Sequence, residues 1–242
     1  MYKRQALACG SHSGSKLHSR EAFKILWEYD IDINNLKCPK LKTSSLEHNC
    51  SGKHAAFLAT CKKMNWPLDN YLKGDHPLQI EIFRIVSELL EIPSSKIIAE
   101  RDDCGAPTLY LKLLEMSRLY SLLSSSENAE LEQISRAMAI NPIMISDNNK
   151  FDTEIIKASH GNVISKGGAE GIQCLCKVNE GIGLALKVED GSKRAKHAVS
   201  LHLLKQLEWI SDLRIKDIEE NVFNFPEGVR LEVKGKVKFQ ES

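Results

Sequence analysis

Val163-Ile164-Ser165-Lys166-Gly167-Gly168 opens a run in which Ile172 to Val178 and then Gly183 to Glu189 follow at short intervals. The pieces are short, carry Val, Ile and Leu, and are separated by Gly, Asn and Glu, as sheet strands joined by tight turns are. Upstream the pattern is mostly helical. Ser19 is a suitable N-cap for a helix to about Trp27, and a second helix opens at Gly52-Lys53 and runs through Ala55, Ala56, Leu58 and Ala59 to about Met64. Asp75-His76-Pro77 starts a third, with Asp75 as N-cap. Its apolar positions Ile80, Phe83, Ile85, Val86, Leu89 and Leu90 fall mostly on one face. Further helices are expected at about 108–122, 127–140 and Lys193 to Leu207. Short strands are expected at Ala6-Leu7-Ala8-Cys9 and, buried, at Ile97-Ile98-Ala99, and Val229 to Phe239 alternates as a closing strand. Residues 31–47 are polar and irregular. Strands near both ends with helices between them predict an α+β fold in one domain, with no linker, repeat or low-complexity segment.

The charge balance narrows the function. Thirty-three Lys and Arg against 32 Asp and Glu leave a formal net charge of +1, without a long basic run, so nucleic acid and anionic membrane surfaces are poor partners. No apolar stretch has the length of a membrane span. The cysteines number seven, an odd count that argues for free thiols in a reducing compartment, the cytoplasm.

Four clusters hold the reactive side chains, each after a strand or at the start of a helix: Ser11-His12-Ser13, Cys50-Ser51-Gly52-Lys53-His54, Asp102-Asp103-Cys104 and Lys166-Gly167-Gly168. At a helix start, backbone amides stabilise a thiolate, which favours metal or nucleophile chemistry at Cys50. Cys50 and Lys53 with the distant Cys104 suit a three-ligand zinc site with an open fourth position, the competing reading being a solvated lysine and packed cysteines. A serine becomes nucleophilic when a lysine takes its proton. Ser13-Gly14-Ser15-Lys16 has the Ser-x-x-Lys spacing of penicillin-recognising enzymes, but four residues with two free positions match often by chance.

Together these strings resemble the rhizobial-type asparaginases, also called thermolabile or second-type. The resemblance is carried by Cys9-Gly10-Ser11-His12-Ser13 with His18, by Asn49 to His54, by Asp75-His76-Pro77, by Asp102 through Pro107 with Thr108, and by Lys166-Gly167-Gly168-Ala169. It covers nearly the whole chain from Ala6, and Asn-Cys-Ser-Gly-Lys-His is its most specific string. It implies a serine β-lactamase/glutaminase-like fold with a mixed antiparallel sheet and flanking helices, a homodimer, and hydrolysis of L-asparagine to L-aspartate and ammonia. Ser11 and Lys166 then correspond to a catalytic serine and lysine, and Asp102 to an acid hydrogen-bonded in the same site. Cys50, Lys53 and Cys104 correspond to a zinc site that assists substrate binding. Substrate contacts are expected at His12, Ser13, His54 and Gly168, and oxyanion donors among the amides of Gly10-Ser11 or Lys166 to Gly168.

One departure stands out. The family's other pair, Ser-x-x-Lys-Pro, belongs upstream of Cys9, and no such string is present. Met1-Tyr2-Lys3-Arg4-Gln5 fits no element that follows, and GTG-TAT-AAG-AGA-CAG, which would encode it, looks like the end of a sequencing adapter. Residues 1–5 are therefore expected to be non-native. Residues 6–242 would be a single asparaginase-like domain without its N-terminal strands, with an exposed sheet edge. Which serine attacks stays open at this level. So do two other readings, a glutaminase or penicillin-recognising hydrolase and a zinc-dependent binding or redox-sensing protein.

Overall fold

The run that begins at Val163 is a three-stranded antiparallel meander in the computed structural model of the protein, which describes residues 1–41, 43–223 and 232–237. Its strands, the third to fifth in the chain, are β3 (Val163–Gly167), β4 (Ile172–Lys177) and β5 (Ile182–Lys187). The register sets Lys166 opposite Cys174 and Gly167 opposite Gln173. The remaining elements are mostly helices, so the fold is α+β. Among the described residues, no helix is long and apolar enough to cross a membrane.

The chain divides into two compact units, Met1–Glu115 with Ile143–Asp147, and Met116–Pro142 with Asn148–Ser242. The first holds α1 (Tyr2–Ala8), α2 (Lys16–Glu28), α3 (Ser51–Lys63) and α4 (Pro77–Leu90), then the ribbon β1 (Ile98–Arg101) and β2 (Pro107–Tyr110). Its buried core includes Leu7, Ala22, Leu26, Ala55, Leu58 and Tyr71. After α5 (Leu113–Ser124), which crosses the boundary, the second unit has α6 (Ala129–Ile140), α8 (Phe151–Ala158), the meander, α9 (Lys193–Gln206) and α10 (Asp212–Val222). Phe151, Ile155, Val163, Leu175, Leu201, Leu204, Trp209, Ile210, Ile215 and Ile218 form its core. The short α7 (Pro142–Ile145) spans the junction of the two segments.

Several local expectations are corrected. The apolar quartet 6–9 is not a strand but the end of α1, in which Ala6 and Leu7 are buried. Lys3, Arg4, Gln5, Ala6 and Leu7 are all strong helix formers, so residues 2–5 supply the helix's first turn. Helix α2 starts three residues before the expected cap, because Ser15 rather than Ser19 caps it and the Ser15 N–H donates to His18 Nδ1 at 3.3 Å. His76, not Asp75, caps α4, its Nδ1 accepting from the Leu78 N–H at 3.1 Å. The buried strand at 97–99 is instead one arm of an exposed ribbon, with Ile98 63% and its partner Tyr110 64% accessible. Helices α7, α8 and α10 carried no sequence signal strong enough to anticipate them. Of the closing strand, 229–231 and 238–239 lie outside the described residues. Residues 232–237 form no strand, and their backbone is satisfied by a side chain: Gln206 Nε2 donates to the Gly235 carbonyl at 2.7 Å, and the Val237 N–H donates to Gln206 Oε1 at 3.0 Å.

Candidate active site and metal centre

In the first unit, the loop after α1 is laid down by its own amides. The Ser11 N–H donates to the Ile145 carbonyl at 2.8 Å, that of His12 to Asn49 at 3.2 Å and that of Ser13 to Ser146 at 2.9 Å. Alternate side chains then part company: Ser11 and Ser13 are exposed, and His12 points inward. Asn49 Nδ2 donates to Ser11 Oγ at 3.1 Å, which leaves the serine's own proton free to go elsewhere. Ser13 Oγ donates to Asp147, so its hydroxyl is committed there and not to Lys16, which is exposed at the start of α2.

The histidines beneath this loop are fixed by their partners. The Gly14 N–H donates to His12 Nδ1 at 3.2 Å, which puts the ring proton on Nε2, 3.3 Å from Ser51 Oγ. His18 stacks on His12 with ring centroids 4.6 Å apart. Burial, and then the neighbouring His18, push His12 down to about 3. Its ring is therefore neutral when folded and charged when unfolded over the interval from about pH 6.5 down to about 3. The unfolded chain binds more protons there, so stability falls as pH is lowered, by up to about 1.4 kcal/mol per pH unit from this group. Urea unfolding followed between pH 7 and 5 should show this slope, and His12→Gln should flatten it. An unchanged slope in the variant would assign the effect to other groups.

The start of α3 and the loop of the β1–β2 ribbon build the second cluster. Cys50 is the N-cap residue of α3, and its N–H donates to His48 Nδ1 at 3.0 Å. The ribbon's five-residue loop 102–106 is closed by the Asp102 N–H donating to the Ala106 carbonyl at 2.9 Å. Together they bring one donor atom each from Cys50, Asp102 and Cys104 within 4.8 Å of one another. Lys53 Nζ is 3.7 Å from Asp102 Oδ2. Hydrogen bonding from the Cys50 thiol holds Cys104 below the ordinary thiol range, and the same interaction raises Cys50, while Cys104 Sγ also lies 3.5 Å from Asp102 Oδ2. Burial opposes the charge on Lys53, but the two sulfurs outweigh it and its pKa is raised.

Behind the sulfurs, Tyr71 and His54 form a relay that the sequence did not announce. The Tyr71 hydroxyl accepts from the Lys37 N–H at 3.0 Å and lies 2.7 Å from His54 Nδ1, a hydrogen bond whose direction follows the histidine tautomer. The other ring nitrogen of His54 is Nε2. That atom is buried, has no oxygen or nitrogen partner and helps to lower the Cys104 pKa. The ring is thus anchored on one side and faces the Cys104 sulfur on the other.

In the second unit, Lys166 is half-buried on β3 and its Nζ donates to the Gly167 carbonyl at 2.6 Å. Gly168 is exposed just beyond the strand, its N–H donating to the Ile172 carbonyl at 2.9 Å. Asp152 Oδ2 accepts from the Gly167 N–H at 2.9 Å.

A family model for L-asparaginase II matches residues 2–239. The chain belongs to the L-asparaginase II family. No curated protein matches it. This asparaginase is thus an amidohydrolase, and its geometry refines the residue assignments. Ser11 and Ser13 are presented to solvent, whereas His12 and His54 are enclosed, at 2% and 0% exposure, and hold other groups in place. Cys50, Lys53, Asp102 and Cys104 come together as one cluster. Four of the five expected oxyanion donors are already engaged. The amides of Gly10, Ser11, Gly167 and Gly168 are committed to Leu7, Ile145, Asp152 and Ile172, because the loop and strand that carry them are held by those bonds.

A zinc ion fits the asparaginase's donor set. Two sulfurs, one of them held below the ordinary thiol range, a carboxylate within reach and a buried imidazole nitrogen behind one sulfur are what a thiolate-rich site needs. Lys53, a cation beside these groups, can join the ligands only by giving up its proton as the ion arrives.

Proposed function

We propose that this asparaginase hydrolyses L-asparagine to L-aspartate and ammonia by acyl transfer, with Ser11 as the serine and Lys166 as the lysine of the reaction. Ser11 Oγ attacks the side-chain amide carbon while a lysine in its neutral amine form, the role given to Lys166, receives the hydroxyl proton. The proton passes to the leaving nitrogen, ammonia departs, and water hydrolyses the aspartyl ester to return the free serine. The observation that carries this reading is an exposed Ser11 whose oxygen accepts a hydrogen bond from Asn49, which stabilises the oxygen as it loses its proton. Cys50, Lys53 and Cys104 would hold zinc, with Asp102 beside them accepting from the Asp103 N–H at 2.8 Å. Bound there, the ion supplies a positive charge and Lewis acidity for the substrate's charged groups. The enzyme works as a homodimer in the cytoplasm, and the seven free thiols suit a reducing compartment.

The test is a comparison of zinc content, kcat and KM for asparagine between the wild-type enzyme and Cys104→Ser. Loss of one thiolate should weaken zinc binding by about a hundredfold and raise KM about tenfold or more, with kcat moving less. A matching fall in kcat at constant KM would move the metal from binding into the chemical step. Asparagine turnover independent of zinc in both proteins would remove it from function.

A further inference from the structure

Asp152, in the first turn of α8, is a buried carboxylate that the proposed reaction does not use. Its Oδ1 accepts from Ser165 Oγ and from Gln173 Nε2, both at 2.7 Å, and its Oδ2 accepts from the Gly167 N–H at 2.9 Å. Ser165 and Gly167 are the two neighbours of Lys166, and Gln173 is the cross-strand partner of Gly167. One carboxylate therefore grips β3 on either side of the lysine and ties it to β4. Lys196 Nζ closes the far end, donating to the carbonyls of Gly168 at 2.9 Å and Ile172 at 3.0 Å. A Cβ on residue 167 would lie 2.9 Å from Lys196 Nζ, 3.0 Å from Gln173 Oε1 and 3.3 Å from Asp152 Oδ2, so the bare glycine lets these side-chain ends converge without shifting. By the two-residue period of a strand, Lys166 projects from the opposite face of β3.

A buried charge is a poor device for stability alone, since desolvation offsets what its bonds return. Burial indeed works against ionisation of Asp152, but the nearby Lys166 and the three donors outweigh it and keep the carboxyl below its ordinary range. What such a centre supplies is a fixed geometry. We propose that Asp152 is a positioning residue for Lys166, locking the rotation of β3 through Ser165 and Gly167 so that the lysine is held in its working orientation. The inference rests on the reading of Lys166 as the lysine of the reaction.

The experiment uses the full-chain enzyme and three variants: Asp152→Asn, Ser165→Ala and Lys166→Ala. An asparagine at 152 must turn its NH2 toward one of the present donors. Its kcat for asparagine should fall about tenfold to a hundredfold while KM stays within about threefold and zinc content is unchanged. Ser165→Ala keeps the charge and two donors and should show the same split at several-fold. Wild-type kcat per folded molecule in both variants, with only a lower Tm, would overturn the proposal and leave Asp152 a structural residue. So would a rise in KM at constant kcat. If Asp152→Asn does not fold, Ser165→Ala decides alone. Near-wild-type turnover in Lys166→Ala would instead remove Lys166 from the reaction, an outcome distinguishable from loss of the Asp152 effect.

Discussion

Ser11→Ala should reduce kcat for asparagine by about a thousandfold, some 4 kcal/mol of transition-state stabilisation, with zinc content and fold intact. The reasons are local. Ser11 is exposed, so removing its hydroxyl leaves no cavity and should change stability by no more than about 0.5 kcal/mol. Asn49 loses its acceptor but is itself partly exposed, and water can replace the serine oxygen. The cluster of Cys50, Asp102 and Cys104 makes no hydrogen bond to Ser11 among the described residues, so the metal should not notice the change. Substrate binding does not depend on the attacking oxygen, and KM should stay within a few-fold. Turnover within a few-fold of wild type would take Ser11 out of the covalent step and send the search to another serine.

Gly52→Ala should be among the more damaging single-methyl additions in the first unit. Residue 52 lies in the first turn of α3 at its approach to α1, and a Cβ there would stand 2.5 Å from the Leu7 carbonyl oxygen and 2.6 Å from Leu7 Cγ. Both residues are buried, so neither helix can yield without disturbing the core. Overpacking of this kind costs about 3 kcal/mol or more, or some 6 °C or more in Tm for a chain of this size. Leu7→Ala added to it should not restore stability, because it removes the side-chain clash and leaves the backbone one. Zinc affinity should fall as well, since Cys50 and Lys53 flank the displaced turn. A Tm within about 2 °C of wild type, by calorimetry, would show that α1 can move aside at little cost.

This glycine changes the reading of Asn49 to His54. As a string it looked like a concentration of reactive groups, yet its members divide the work. Gly52 lets α1 approach, Ser51 accepts from His12, His54 braces Cys104, and Cys50 and Lys53 face Asp102 and Cys104. Residue types and spacing could single out the string but could not apportion these roles. The same holds for Asp152. It has no distinctive neighbours in sequence, and its partners lie 13, 15 and 21 positions away. Tyr71 is likewise 17 positions from His54 and 34 from Lys37.

The sequence by itself determined the α+β class, the three strands from Val163 to Lys187, the family, and the positions of Ser11, Cys50, Lys53, Asp102, Cys104 and Lys166 as the groups to examine. Those are properties of local pattern: periodicity, turn residues and a rare motif. Tertiary structure alone decided that residues 2–8 are helix, that Cys50 and Cys104 meet beside Asp102, that the amides of Gly10, Ser11, Gly167 and Gly168 are already taken, and that a buried aspartate grips the strand carrying Lys166. Each depends on groups brought together from distant positions. A short apolar run is ambiguous between helix and strand until it is packed, and a proton, a hydrogen bond or a buried charge is settled only by the groups that surround it.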